Sequence, residues 1–192
     1  DEGAARIAAI RETLEETGLA IGIAKNGVLP LKPESDIARD ELNGGATFSA
    51  LLTRFGWSLD LASFIPWSRW RPPGKLDTRT FDTRFYIADA GAADLVGAAD
   101  QTENISLFWA SAQTVLDRAD AGKLQIIFPT RRNLERLALF GDFHSARKHA
   151  DAVPVRMVLT YIEERAEGQY ICLPDGHGYP ILEEPMTSAK RG

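Results

Sequence analysis

Three glutamates crowd into five positions of the segment Arg11-Glu12-Thr13-Leu14-Glu15-Glu16-Thr17-Gly18-Leu19. Glu12 and Glu16 are four apart and Glu12 and Glu15 three apart, so on a helix all three project from one stripe. Ile7, Ile10 and Leu14 recur at helical spacing on the other side, which predicts one buried face and one acidic face. Like charges this close repel one another and cost stability unless a positive charge sits among them. A hard divalent cation, which takes oxygen ligands, is the simplest such charge. An isolated E-x-x-E-E stretch is more often solvated helix surface, so the neighbouring residues decide how it is read.

Those neighbours read R-E-U-x-E-E-x-G-U (U, aliphatic), with Thr13 where an aliphatic residue is commoner, and Gly18 falls where a left-handed helix C-terminus belongs. The run resembles the second half of the Nudix box. In the full box a glutamate stands eight residues before the arginine; that position here is Gly3, and Glu2 is one off. The box glycine would lie before residue 1. The expectation is a chain that begins inside the motif, without the strands that precede it. A longer polypeptide, or a loop interrupting the box upstream, would account for this, and residues 1–192 expressed alone are expected to fold poorly.

A second region sharpens the resemblance. Pro66-Trp67-Ser68-Arg69-Trp70-Arg71-Pro72-Pro73, then Thr80-Phe81-Asp82-Thr83-Arg84-Phe85-Tyr86 after a short loop, looks like the W-S-x-W-x-x-P…R-F-D-T-x-F-F signature of one branch of Nudix hydrolases. That branch includes peroxisomal coenzyme A diphosphatases, and its members often carry an insertion in the Nudix box. Thr80 departs from the pattern, an arginine being usual there, although Arg79 precedes it. Phe128-Pro129-Thr130 and Gly178-Tyr179-Pro180 also fit the branch.

The resemblance implies a mixed α+β Nudix domain over 1–192, a sheet between helices (α/β/α), with a C-terminal hairpin extension at about 153–182. It implies hydrolysis of the pyrophosphate bond of a nucleoside-diphosphate derivative, coenzyme A or an acyl-CoA first. Another nucleotide substrate (a nucleotide sugar, NADH or a dinucleoside polyphosphate) is the alternative, and a non-catalytic ligand sensor the third reading. Glu12, Glu15 and Glu16 would hold Mg²⁺ or Mn²⁺. Glu103, six residues before Trp109, would reach the same ions, the other reading being a solvated charge at a strand start. Arg11 would orient Glu12, and either Glu12 or Glu15 would act as general base. Arg69, Arg71 and Arg84 would pair with phosphates, as guanidinium forks do. Asp82 would serve as an acceptor behind the site or simply pair with Arg84. Trp67, Trp70, Phe81 and Phe85 are expected in the core rather than as stacking platforms. His144, His149 and His177 are expected in surface or local structural roles, and Lys123, Arg131 and Arg132 in solvent.

Composition sets wider bounds. A net charge of −5 argues against wrapping nucleic acid, which needs a basic face. It leaves a small nucleotide as the expected partner, with a homodimer left open. Cys172 is the sole cysteine, which excludes an internal disulfide and a thiolate zinc cluster. No apolar run approaches membrane-spanning length, and a cytoplasmic setting is expected.

Pattern and punctuation along the chain predict the elements that must carry these residues. Residues 25 to 45, with their glycines and prolines, read as a long loop. Thr47 caps a helix stopped by Gly56. Residues 63–71 are extended, 80–88 alternate as a strand, and 103–109 form another with Ile105, Leu107 and Trp109 on one side. Ser111 caps a helix ended by Gly122. Leu124 to Phe128 reads as a short strand, and Thr130 starts a helix with Leu134, Leu137 and Ala138 inward. Asp142 opens a further turn or helix to about Ala150. Val155 to Leu173 forms a hairpin turning at Glu167-Gly168.

Overall fold

The computed structural model describes residues 2–71, 82–91 and 107–189, and the chain divides into two compact units. The first comprises Asp1–Ile65 and Tyr86–Trp109, the second Pro66–Phe85 and Ala110–Gly192.

In the first unit, α1 (Glu2–Thr17) carries the acidic run. It buries Ile10 and Leu14 completely, one turn apart, whereas Ile7, expected on the same stripe, lies at its margin and is exposed. Gly18 closes the helix at φ +70°, its N–H donating to the Leu14 carbonyl at 2.8 Å, as the sequence predicts. The chain then turns through Gly22 (φ +77°), where an added Cβ would come within 2.8 Å of the Phe64 ring and 3.0 Å of Ile10. Only glycine allows both that backbone and that approach.

A short strand β1 (Ile23–Ala24) leads to α2 (Lys32–Asn43), which corrects the expected loop over 25–45. Pro33 is a first-turn proline, a position where its missing N–H costs nothing. Ser35, Ala38 and Leu42 then bury one face at i, i+3 and i+7. The next helix, α3 (Phe48–Phe55), begins and ends as expected: Thr47 accepts from the Ala50 N–H, and Gly56 is left-handed. β2 (Ser58–Leu59) pairs antiparallel with β1. Ile10, Leu14, Ile23, Leu51, Trp57 and Phe64 form this unit's core.

The strands β3 (Ile65–Arg71) and β4 (Thr83–Ile87) cross the division of the chain and carry the arginines. Residues 107–110 are irregular, with Leu107 and Trp109 exposed, which corrects the described end of the strand expected over 103–109. In the second unit, α4 (Ala112–Asp120) is capped by Ser111. α5 (Phe128–Leu137) takes in Phe128, so the strand expected at 124–128 does not form; Pro129 starts a helix rather than cutting a strand. α6 (Phe143–Ala152) comes next, capped by Asp142. β5 (Met157–Leu159) runs parallel beside β3, giving the order β4-β3-β5. β6 (Tyr161–Arg165) and β7 (Gly168–Cys172) make a hairpin with the expected turn, but its first arm begins at Tyr161 rather than Val155, since Met157–Leu159 pairs with β3; β8 (Glu183–Pro185) adds a third strand to it. A single turn, Met186–Ala189, succeeds β8. Trp70, Phe128, Val158, Leu173 and Tyr179 form this unit's core.

Candidate active site

α1 holds the acidic residues by burying its opposite face. Glu12 is more than half exposed, and Glu15 and Glu16 are half-buried. Arg11 lies among them: one guanidinium nitrogen donates to Glu15 and another to Glu12 at 3.2 Å. This is part of the positive charge that the crowding calls for. The donors on this stripe are hard carboxylate oxygens, the ligand type suited to a divalent ion. The donor set therefore fits the cation that the sequence leads one to expect. Glu103 lies outside the described residues.

On β3, Trp67, Ser68 and Trp70 are buried, while Arg69 and Arg71, two residues apart, share a face. Arg69 grips Asp82 with both arms of its fork, Nε to Oδ1 at 2.7 Å and Nη2 to Oδ2 at 2.5 Å. Arg84 stands 4.0 Å from the same carboxylate. Asp82 thus pairs chiefly with Arg69. That charge-assisted hydrogen bond lowers the Asp82 pKa, with Arg84 and Arg71 adding their fields. Arg71 is exposed at the end of its strand.

What anchors β3 was not legible as a site. Asn133 accepts from Ser68 Oγ at 2.7 Å and from the Tyr179 hydroxyl at 3.1 Å. Trp70 Nε1 donates to that tyrosine at 2.8 Å. Arg136, 2% exposed, donates to the Trp67 carbonyl at 2.7 Å and stacks 4.0 Å above its ring. α5 thus buries Phe128, Arg132, Asn133 and Arg136, not the Leu134, Leu137 and Ala138 stripe. Arg132, expected in solvent, is 2% exposed and pairs with Glu135 and Glu184 at 3.1 and 2.9 Å. Burial raises the Glu135 carboxyl above its ordinary range in spite of the two arginines beside it. His149 packs against Trp67 and Phe140 and accepts from Arg136 Nε at 3.1 Å. Desolvation, and then the Arg136 charge, push its pKa down. The signal for this face was Phe128 with residues four, five and eight further on, a helical stripe hidden because three of its four members are polar.

Among the described residues, Glu163, Cys172 and Glu183 bring ligand atoms within 4.8 Å of one another. A cation already sits there: Arg165 donates to Glu163 at 2.7 Å and to both Glu183 oxygens at 2.8 and 2.7 Å. Burial also raises the Cys172 pKa, keeping it a thiol and a poor ligand. The group is better read as an arginine clasp on the hairpin than as a metal centre. Among the described residues no helix is long and apolar enough to cross a membrane.

No protein-family model matches the chain. It is 27% identical over 165 residues to the acyl-coenzyme A diphosphatase NUDT19 of Gallus gallus, a match covering 77% of this chain and 44% of that protein. A crystal structure of a Nudix hydrolase from Alicyclobacillus acidocaldarius matches with a TM-score of 0.60 at 25% identity, covering 74% of this chain and 64% of that one. The chain spans under half the length of the curated relative and under two thirds of the solved one. The fold, of mixed α and β structure, resembles that of the solved Nudix hydrolase, and the curated relative is likewise a hydrolase. Within that class it resembles the coenzyme A diphosphatase branch, as the paired tryptophans and the arginines of β3 and β4 led one to expect.

Proposed function

We propose that the chain belongs to a metal-dependent hydrolase that cleaves the pyrophosphate bond of a nucleoside-diphosphate derivative, with coenzyme A or an acyl-CoA as substrate. The observation that carries this is the acidic stripe of α1, closed by left-handed Gly18 and kept outward by the burial of Ile10 and Leu14. The similarity to an acyl-coenzyme A diphosphatase supports the substrate.

In this reading Glu12, Glu15 and Glu16, with Glu103, hold Mg²⁺ or Mn²⁺. When bound, such ions offset the diphosphate charge and lower the pKa of a bound water. Arg11, by bonding to Glu15 and Glu12, positions two of the carboxylates on the stripe. Either Glu12 or Glu15 accepts the proton of the attacking water. Arg71 and Arg84 offer donors to the substrate's phosphates, and Arg69 does so by exchanging Asp82 for a phosphate, a trade of one anion for another on the same fork. The setting proposed is cytoplasmic.

The test is hydrolysis of coenzyme A, ADP-ribose, NADH and diadenosine polyphosphates with Mg²⁺ or Mn²⁺, by the full-length protein and its Glu16→Gln variant. Glu16→Gln should lower turnover by about a hundredfold or more, because it removes a ligand charge and little volume. Its melting temperature should stay unchanged. Near-native turnover in the variant would sink the assignment. Hydrolysis of another dinucleotide, with none of coenzyme A, would replace the substrate and keep the chemistry.

A further inference from the structure

The second unit contains a buried cation whose charge no carboxylate in contact with it balances. Arg136 is 2% exposed. Its Nε is taken by His149 and its Nη1 by the Trp67 carbonyl. Its Nη2 is buried and has no hydrogen-bond partner. Among the described residues no carboxylate lies within ion-pair distance of it, whereas Arg132, one turn earlier, has two. A guanidinium removed from water without a counter-ion is costly, so the packing around Arg136 invites an anion.

Arg136 lines a small cavity together with Ser68, Val158, Arg156, His177 and Tyr179. Two guanidiniums therefore face one space. Arg156 reaches over it to donate to the Gly176 carbonyl at 2.7 Å, and it too has no carboxylate partner among the described residues. Gly178 brings the loop close: a Cβ there would sit 2.9 Å from His149 Nε2 and 3.2 Å from Arg136 Nε. The acid of this loop, Asp175, accepts from the Gly176 N–H at 2.6 Å. The hydroxyls at the wall are also committed, Ser68 and Tyr179 both donating to Asn133. What remains is a lining that sets the two arginines among the apolar Trp67, Val153, Pro154, Val155 and Val158, with no carboxylate in it.

Size then selects the occupant. The cavity measures about 10 Å³, about the space one water-sized sphere needs. A water would satisfy Arg136 Nη2 but bring no charge. We propose that this cavity is a structural site for a monatomic anion of chloride size, held between Arg136 and Arg156 at the His177 loop. The site belongs to the second unit alone and does not depend on the proposed hydrolase activity.

Bromide replaces chloride and scatters anomalously, so crystals of the protein soaked in bromide should show one anomalous peak beside Arg136 and Arg156. In solution, chloride should raise the melting temperature over gluconate at matched ionic strength, by about 3 °C at saturation. Arg156→Gln, a substitution outside the apolar core, should abolish that increment while unfolding stays cooperative. Arg136→Gln should do the same if it folds. Equal melting in chloride and gluconate, no anomalous peak at this position, or an undiminished chloride increment in Arg156→Gln would each overturn the proposal.

Discussion

Replacing Asn133 with leucine should loosen the strand that carries Arg69 and Arg71. Asn133 joins three elements. Its Oδ1 accepts from Ser68 Oγ and the Tyr179 hydroxyl, and its Nδ2 donates to the Pro129 carbonyl at 2.8 Å. Leucine is close to it in shape, so the loss is chiefly polar rather than steric. Two buried hydroxyls lose their acceptor. The Pro129 carbonyl loses a side-chain donor but keeps its place in the helix ladder. A buried polar group left unpaired costs about 1–3 kcal/mol. Two such groups, with a smaller share for the carbonyl and some relaxation between neighbours, amount to about 4 kcal/mol. For a chain of this length that lowers the melting temperature by about 8–16 °C. The assay is urea unfolding monitored by tryptophan fluorescence, with Trp70 as a reporter inside the network. Ser68→Ala removes one donor and should cost about 1 kcal/mol. In the double variant the two losses should fall short of their sum, since both break the same bond. A loss below about 1 kcal/mol for Asn133→Leu, or full additivity with Ser68→Ala, would refute the view that this network anchors β3.

Three further outcomes rest on single contacts. Gly22→Ala should cost about 2–4 kcal/mol in chemical unfolding, from the left-handed backbone and the clash with Phe64 and Ile10 together; a neutral result would mean that the turn rearranges. His149 has a depressed pKa in the folded protein. Its contribution to stability is therefore fully present above its ordinary pKa of about 6.5 and is lost as pH falls through the lower folded value. The stability difference between the native protein and His149→Gln should accordingly shrink below about pH 6, and a constant difference from about pH 8 to 5 would count against a neutral, acceptor His149. Of Arg69, Arg71 and Arg84, one that reads a phosphate remote from the cleaved bond should, as alanine, raise KM for coenzyme A far more than for dephospho-coenzyme A, with kcat changed less. Equal losses on both substrates for all three would point to the diphosphate or to structure.

Local signals carried far in this chain. The stripe of Glu12, Glu15 and Glu16, the stop at Gly18, the caps at Thr47, Ser111 and Asp142, and the Glu167-Gly168 hairpin were all readable, because each depends on spacing or on the backbone freedom of one residue. Motif resemblance pointed to the same relatives that the whole chain is similar to for a related reason: Arg11 to Leu19 and Pro66 to Tyr86 are contiguous, and contiguity survives in a string. What tertiary structure decided is which chemistry each helix face meets. Pro33 and Pro129 look alike as breaks in a pattern, yet both start helices, since a first-turn proline and a loop proline differ only in the conformation of the residues after them. On α5 the apolar Leu134, Leu137 and Ala138 suggested the inward face. Its polar face was buried instead, because Ser68, Tyr179, the Trp67 carbonyl and Glu184 arrive from distant parts of the chain to satisfy Asn133, Arg136 and Arg132. A buried polar residue is stable only when its partners are supplied, and no spacing along one helix records where those partners come from.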